Sequence, residues 1–420
     1  MCRDPPGLGL GVSGPDHIRT AVADAYRDEW GQVVATLIGF TGDWDLAEDC
    51  AQDAFAAAMT TWPRDGVPHR PGAWLTTTAR NRAIDRLRRD AAGAAKLRTL
   101  ALTEERDEPA VDEIPDERLR LIFTCCHPAL PFPARVALTL RTLAGLSTAE
   151  IARAFLTAEP AMAKRLVRAK RKIREAGIPY RVPPAELLPQ RLAAVLAVLY
   201  LIFNEGYSAV DEGDDRDRRT LTAEAIRLTR VLVRLMPQEP EPVGLLALML
   251  LHEARRATRT DDGVLVTLEF QDRSRWDRAL ISEGVATLDQ ALAKQRPGPY
   301  QVQAAIAACH ATAADAASTD WPQIAALYSE LARLAPSPVV DLNRAVAVAM
   351  ADGIPAGLAL VDELAASGLL DGYHLLHATR ADLLRRAGRT AEARAAYEDS
   401  VGLAPSDAER RYLAERLRGL

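Results

Sequence analysis

Hydrophobic positions recur at helical rather than strand spacing along most of this chain. In the first segment, for example, Val22, Ala25, Trp30, Val33 and Leu37 follow one another at steps close to one helical turn. Alternating runs rich in Val, Ile and Thr are hard to find. Because side chains three or four positions apart share one face of an α-helix, this pattern predicts an all-α fold.

Breaks in the helical pattern and shifts in composition divide the chain into five segments. Pro- and Gly-rich stretches and a run of like charges mark these breaks, since they interrupt or repel regular structure. The predicted segments are a disordered start over 1–15, a helical domain over 16–89 with helices at about 45–61 and 71–89, an acidic linker over 90–116, a second helical domain over 117–180, and a long helical extension over 185–420.

The extension contains an imperfect repeat. Tyr328 precedes Pro336 by the same distance as Tyr397 precedes Pro405. Gly353 and Gly388 lie between these phrases, and small residues such as Ala381 and Ala393 are suited to close helix crossings. A period near 34 residues resembles tetratricopeptide repeats, which form an α-solenoid. Such arrays leave a concave groove, and we expect it to bind a protein or peptide partner.

Composition narrows the class of protein. The chain has 420 residues, 48% of them hydrophobic, which suffices for two or three domains. No apolar run approaches the roughly 20 residues of a membrane helix, and no signal peptide precedes the first helix, so we expect a cytoplasmic protein without a membrane partner.

Of the five cysteines, Cys125 and Cys126 adjoin His127, but adjacent cysteines lack zinc-ligand spacing. We expect buried or idle thiols.

Charge is unevenly distributed. The net charge is −5, but Ala79–Arg98 carries seven basic and two acidic residues, and Lys164–Arg174 carries seven basic residues and no acid. Together these stretches carry a charge of +12, which leaves −17 on the rest of the chain. Two basic patches on an acidic body favour DNA binding, although two solvated helix faces are the simpler alternative.

The second basic patch lies in a predicted helix-turn-helix. Ser147 and Glu150 have the spacing of a capping box, and Pro160 suits the first turn of a following helix. That second helix has an apolar stripe at Met162, Leu166, Ala169 and Ile173. Lys164, Arg168 and Arg171 fall on the other side, as expected of a recognition helix. An ordinary amphipathic hairpin is the alternative.

Three segments together resemble the extracytoplasmic-function sigma factors, which are promoter-specificity subunits of bacterial RNA polymerase. LAEDCAQDAFAAAMTTW (Leu46–Trp62) resembles region 2.2, which binds the polymerase clamp. PGAWLTTTARNRAIDRLRR (Pro71–Arg89) resembles regions 2.3 and 2.4, which melt and recognise the −10 element. RLVRAKRKI (Arg165–Ile173) resembles the end of region 4, which recognises the −35 element. The resemblance covers Asp16 to about Tyr180.

The resemblance implies partners and roles for individual residues. It implies core RNA polymerase and promoter DNA as partners, no cofactor and no metal. The expected polymerase-binding residues are Glu48, Asp49, Gln52 and Asp53. The expected −10 contacts are Arg80, Asn81, Arg82, Asp85, Arg86, Arg88 and Arg89, and the expected −35 contacts are Lys164, Arg165, Arg168, Lys170 and Arg171. The chain departs from the family at Ala161, Met162 and Ala163, where members often have Thr-Val-Lys, so base contacts must depend more on the basic residues that follow.

The extension resembles that of a sigma-factor subgroup with a tetratricopeptide-like C-terminal part. YLIFNEGYSA (Tyr200–Ala209) and QDRSRWDRALI (Gln271–Ile281) carry the resemblance. Their polar and aromatic residues are expected to form one buried network that joins helices, holds the extension against the sigma domains or binds a ligand. The residues of this predicted network are Asn204, Glu205, Tyr207, Asp272, Arg273, Arg275, Trp276 and Asp277.

Two other functions remain open at this level. One is a helix-turn-helix regulator that senses a ligand or protein but does not join the polymerase; the region 2.2-like helix argues against it. The other is a helical-repeat scaffold with a vestigial DNA-binding half. Enzyme motifs such as a Walker loop, GxGxxG, GxSxG or HExxH do not occur, so we expect no catalytic activity.

Overall fold

A computed structural model describes residues 15–89, 117–155, 157–207, 215–261, 264–404 and 407–420. The predicted acidic linker, and all but the last residue of the predicted disordered start, lie outside these ranges. The described part contains eighteen α-helices and one two-residue hairpin, which confirms the all-α prediction. Contacts divide the chain into two compact units, Met1–Val198 and Leu199–Leu420. This division falls inside a helix, later than the predicted start of the extension at 185.

The first unit holds seven helices and the start of an eighth. They are α1 (Pro15–Thr41), α2 (Trp44–Asp65), α3 (Pro71–Arg89), α4 (Glu117–Cys125), α5 (Phe132–Thr142), α6 (Thr148–Ala154), α7 (Glu159–Glu175) and α8 (Leu188–Tyr207).

Helices α1 to α3, here called domain 2, pack around large apolar side chains. Trp30, Leu37 and Trp62 are almost completely buried, and Leu75 of α3 closes the same core. Asp43 begins α2, since its carboxylate accepts hydrogen bonds from the backbone amides of residues 45 and 46. Domain 2 therefore presents one face of α2 and one of α3 on a fixed three-helix base.

Helices α4 to α7, here called domain 4, contain the predicted helix-turn-helix. Ser147 and Glu150 form both hydrogen bonds of a capping box at the start of α6. Pro160 lies in the first turn of α7, where the missing amide hydrogen has no cost. The stripe at Met162, Leu166 and Ile173 is buried, so α7 carries most of its basic residues outward on the opposite face.

The second unit is a succession of helices in which neighbours along the chain pack on each other. It begins with the end of α8 and includes the β1–β2 hairpin (Thr260–Asp261 and Val264–Leu265, antiparallel). Its remaining helices are α9 (Asp215–Leu235), α10 (Pro240–Glu253), α11 (Arg278–Leu292), α12 (Pro299–Thr312), α13 (Trp321–Leu334), α14 (Pro338–Asp352), α15 (Ile354–Ala366), α16 (His374–Arg386), α17 (Thr390–Leu403) and α18 (Asp407–Arg418).

The repeated positions fall at equivalent places in this array. Gly353 and Gly388 connect helices with positive φ angles of 106° and 74°, a conformation that favours glycine. Ala381 and Ala393 are fully buried between α16 and α17, where a larger side chain would separate the helices. Pro405 lies outside the described residues.

Helix α8 is apolar enough over 20 residues to satisfy the length and composition of a membrane span, contrary to the sequence expectation. Val195, Ile202 and Phe203 on this helix are completely buried. Among the described residues, one helix of this kind is weak evidence for a membrane span, since core helices of other proteins pass the same test.

Candidate polymerase and DNA interfaces

The acidic face predicted to bind polymerase lies on α2. Asp49 and Gln52 are exposed and Asp53 is half-buried, so their polar groups are available at the surface. Glu48 differs from them because only 4% of it is exposed. The four predicted residues therefore lie on one helix, but they do not share one solvent-facing surface.

The basic residues of α3 divide into paired and exposed groups. Arg86 contacts Asp53 at 2.7 Å and Asp49 at 3.3 Å, and Arg82 lies 3.7 Å from Asp53. Two predicted DNA contacts are thus joined to the predicted polymerase face. The guanidinium of Arg80 lies 4.9 Å from the centre of the Phe40 ring. The exposed basic residues are Arg88 and Arg89, and the other two predicted contacts, Asn81 and Asp85, are exposed as well.

On the recognition helix α7, Lys164, Arg168 and Arg171 are exposed and Arg165 is half-buried. Lys170 is 8% exposed and faces domain 2 instead of solvent. Its ammonium lies 2.8 Å from both Glu48 and Asp45. Burial lowers the pKa of Lys170, but the carboxylates of Glu48 and Asp45 outweigh that effect and raise the pKa above its ordinary value. In this arrangement Lys170 is a charged group between the domains.

Glu48 of α2 binds two cationic side chains of domain 4, Lys170 and Arg141. Its second oxygen lies 3.0 Å from Nε of Arg141 on α5, and Arg141 also donates to the carbonyl oxygen of Leu146. A buried carboxylate without cations would be very unfavourable, whereas Glu48 has two. Domain 4 thus covers part of the α2 face and supplies both charges that neutralise it.

Two further hydrogen bonds fix domain 4, and the segment that follows it, on α1. The hydroxyl of Tyr26 donates to the carbonyl oxygen of Gly145 at 2.8 Å, and the hydroxyl of Tyr180 donates to that of Ala35 at 2.8 Å. Gly145 has φ +75°, and a Cβ there would lie 2.9 Å from the Tyr26 ring. Burial raises the pKa of Tyr26 to about 12, so its hydroxyl remains a donor at neutral pH.

An open groove of about 660 Å³ lies in domain 2, between α1 and the start of α3. Glu29, Gln32, Thr76 and Thr77 provide hydrogen-bonding groups in its wall, and His69 and Arg70 lie at the α2–α3 connection. Hydroxyl, amide and carboxylate groups of this kind are able to contact base edges.

The predicted network of the extension is divided into separate groups. Asp272, Arg275 and Asp277 are exposed; Asp272 caps the short turn at Arg273–Arg275, and Asp277 caps the start of α11. Arg273 is buried and donates to the carbonyl oxygens of His310 and Ala313 at the end of α12. The indole of Trp276 donates to Thr258 at 2.9 Å. These residues join successive elements of the extension.

The α8 residues of the predicted network lie elsewhere. Tyr207 stacks on Phe203 with ring centres 5.3 Å apart and contacts His252 at 5.4 Å. Asn204 hydrogen-bonds Tyr200, and Glu205 is half-buried. Arg256 and Arg259 lie over the Tyr207 ring. Sequence reasoning missed these arginines, although the run EARRATR at 253–259 is an unusually basic break between helices.

The cysteines fit the expectation of buried thiols where they are described. Cys50, Cys125 and Cys126 are buried, and Cys309 is half-buried. Burial raises the pKa of Cys125 well above its ordinary value and that of Cys126 to about 11, so neither is a reactive thiolate at neutral pH. Within the described ranges no three His, Cys, Asp or Glu side chains are grouped to hold a metal ion.

Three segments of the chain match known protein families. Residues 25–92 match sigma-70 region 2, and residues 120–173 match sigma-70 region 4. Residues 191–292 match a family of unknown function, DUF6596. The two sigma-70 domains, the second of which contains the helix-turn-helix, define a sigma factor.

The chain belongs to the extracytoplasmic-function-like sigma factors that carry an additional C-terminal domain. It is 45% identical over 394 residues, 92% of each chain, to a protein of Rhizobium meliloti (strain 1021) described as uncharacterized protein R00370. No solved structure matches the chain. Membership implies a role in promoter-directed transcription, with core RNA polymerase and promoter DNA as partners in the cytoplasm. Catalysis belongs to the polymerase.

Proposed function

We propose that this sigma factor rests in a closed state, and that its C-terminal extension controls in cis the passage to an open state that joins the polymerase. The observation that supports this proposal is the burial of Glu48, a predicted polymerase-binding residue, beneath Arg141 and Lys170 of domain 4. A face covered in this way cannot bind a second protein until domain 4 moves.

The length of promoter DNA gives an independent reason for opening. The −10 and −35 elements are about 25 base pairs apart, which at about 3.4 Å each is about 85 Å of duplex. In the closed arrangement, a residue of the recognition helix lies 2.8 Å from a residue of α2. Domains in contact cannot occupy both elements, so promoter recognition requires their separation.

The proposed roles of individual residues follow from their positions. In the open state, Glu48, Asp49, Gln52 and Asp53 form one acidic and amide-bearing face for the basic clamp of the polymerase. Arg88 and Arg89 contact phosphates, and Asn81 contacts a base edge of the melted −10 strand. The groove beside Thr76 offers polar groups to an unstacked base.

On domain 4, Lys164, Arg168 and Arg171 provide the first −35 contacts because they are already exposed, and Arg165 lies at the edge of that face. Lys170 exchanges partners in this proposal. It binds Glu48 and Asp45 in the closed state, and opening releases it to contact a DNA phosphate. One lysine therefore favours the closed state before initiation and DNA binding after it.

Run-off transcription with purified core polymerase tests the proposal. Full-length protein is expected to direct promoter-specific initiation, and a chain that ends at residue 184 is expected to differ from it sharply. Identical transcription by both chains would refute regulation in cis. Failure of the full-length protein to bind core polymerase would refute the proposed interface on α2.

Footprinting without polymerase provides a second test. A free sigma factor in the closed state is expected to protect duplex promoter DNA poorly, because the two DNA-binding domains are held together. Strong, specific protection in the absence of polymerase would instead favour a stand-alone regulator.

A further inference from the structure

The extension contains a half-buried group of arginines whose charges are not balanced. Arg255, Arg256 and Arg259 follow α10. Arg256 and Arg259 lie over the Tyr207 ring, and Arg255 contacts His252, which packs against that ring. Arg256 forms an ion pair with Glu253 at 2.7 Å. Among the described residues of the extension, no carboxylate lies within 4 Å of Arg255 or Arg259. Two guanidinium groups thus lie in a partly desolvated region without a counter-ion from the described protein.

The surroundings of Arg259 make this arrangement unfavourable. Its guanidinium lies 4.0 Å from the centre of the Tyr207 ring and donates to the carbonyl oxygen of Tyr207. Burial lowers its pKa, and the charges of Arg255 and Arg256 lower it further. Because a guanidinium stays protonated in proteins, the lowered pKa reflects repulsion and desolvation that an anion would relieve.

Two neighbouring histidines do not supply negative charge, but they add hydrogen-bond donors. Arg255 contacts Nδ1 of His252 at 2.8 Å, and since arginine only donates, that nitrogen accepts and Nε2 carries the proton. Burial, followed by the charge of Arg255, lowers the pKa of His252 well below its ordinary value and that of His310 to about 4. Both imidazoles are neutral at pH 7.

Tyrosines surround the same region. The rings of Tyr200 and Tyr300 are 5.5 Å apart, and the hydroxyl of Tyr200 lies 3.4 Å from Gln303. Burial, and next the neighbouring Tyr200, raise the pKa of Tyr328 to about 12, and the charge of Arg255 opposes that rise. These side chains are half-buried and remain partly accessible. Cations, neutral donors and ring faces therefore converge.

We propose that Arg255 and Arg259 form a binding site for a small anionic ligand that bears a phosphate or carboxylate beside a planar or apolar part. Charge-assisted hydrogen bonds to guanidinium groups are among the strongest in proteins, and arginine matches both anions in a bidentate geometry. The half-buried ring of Tyr200 accepts the planar part, because the ring of Tyr207 is already covered by Phe203, Arg256 and Arg259. The site is independent of polymerase and DNA binding, so either proposal can fail without the other.

Isothermal titration calorimetry on the full chain tests the site. The probes are inorganic phosphate, phenyl phosphate and benzoate at constant ionic strength, with chloride as the reference anion. Phenyl phosphate is expected to bind at least ten-fold more tightly than inorganic phosphate, because its phenyl group can pack against the tyrosine ring of the site. Comparison of phenyl phosphate with benzoate identifies which anion the site prefers. Binding no tighter than that of chloride by any probe would overturn the proposal.

Matched variants locate the binding. Arg255→Gln and Arg259→Gln are each expected to weaken phenyl phosphate binding at least ten-fold, whereas Arg255→Lys keeps the charge and loses less. Arg333→Gln is the control, since Arg333 is exposed on α13 and pairs with Glu330. Circular dichroism confirms that each variant is folded. Equal affinities in Arg255→Gln, Arg259→Gln and Arg333→Gln would show that the anion binds elsewhere and overturn the assignment.

Discussion

Two groups of buried charges in this molecule differ in how they are balanced. Between domains 2 and 4, Glu48 has two cations and Lys170 has two carboxylates. In the extension, Arg255 and Arg259 have no carboxylate within 4 Å among the described residues. Burial of a charge is costly unless a partner compensates it. The group around Glu48 therefore holds domains 2 and 4 together. The arginines of the extension lack a negative partner among the described residues, and an anionic ligand can supply one.

The largest expected effect comes from breaking the balanced group. Arg141→Ala leaves Glu48 buried with one cation fewer and removes a hydrogen bond to Leu146. We expect the free energy of unfolding of the first unit to fall by about 3–5 kcal/mol, as measured by urea denaturation. Arg174→Ala, at an exposed position, is the control. A loss in Arg141→Ala no greater than in the control would show that the contact does not stabilise the closed state.

A lower pH is expected to destabilise the extension, because His310 beside Arg255 is neutral when the protein is folded. Its pKa is about 4 in the folded protein against about 6.5 in an unfolded chain, so between these values only the unfolded chain takes up the proton. The free energy of unfolding of the extension should therefore fall as pH decreases from 6.5, by about 3 kcal/mol at pH 4. Denaturation at several pH values measures it. His310→Asn should flatten this dependence, and an unchanged slope would contradict a neutral, buried His310.

A smaller effect is expected for Tyr26→Phe. The substitution keeps the ring packed against Trp30 and removes only the hydrogen bond to the carbonyl oxygen of Gly145. We expect a loss of about 1 kcal/mol in the unfolding free energy, together with weaker closure of domain 4 on α1. Hydrogen exchange at residues 143–146 reports the closure. Unchanged protection there would show that this bond does not fix the domains.

The smallest expected effect on stability is that of Arg255→Gln, and it separates the two groups of buried charges most clearly. Arg255→Gln removes a charge that has no counter-ion among the described residues, and it keeps a side chain able to donate to His252. Without added anion, we expect the unfolding free energy to change by less than about 0.5 kcal/mol or to increase, because repulsion with Arg259 is relieved. Thermal denaturation in chloride buffer measures it. A loss comparable to that of Arg141→Ala would mean that Arg255 already has a partner.

Local features were predictable from the sequence, and long-range ones were not. The capping box at Ser147 and the bounds of α3 depend on residues within one or two helical turns. The Arg141–Glu48 pair joins positions 93 residues apart, and no local pattern predicts it. Lys170 is an intermediate case. Lys170 follows Leu166 by four residues and precedes Ile173 by three, so it lies on the same helix face as these buried residues. This spacing indicated that its side chain would not face solvent.

The distance between domains 2 and 4 tests the central claim most directly. Spin labels at the exposed positions Met59 and Val167 serve this purpose in a chain whose Cys2 and Cys309 are replaced by serine. Pulsed electron paramagnetic resonance should give one short distance in the free protein and a clearly longer distance in the complex with core polymerase and promoter DNA. An unchanged distance in a complex that initiates transcription would contradict the closed and open states proposed for this sigma factor.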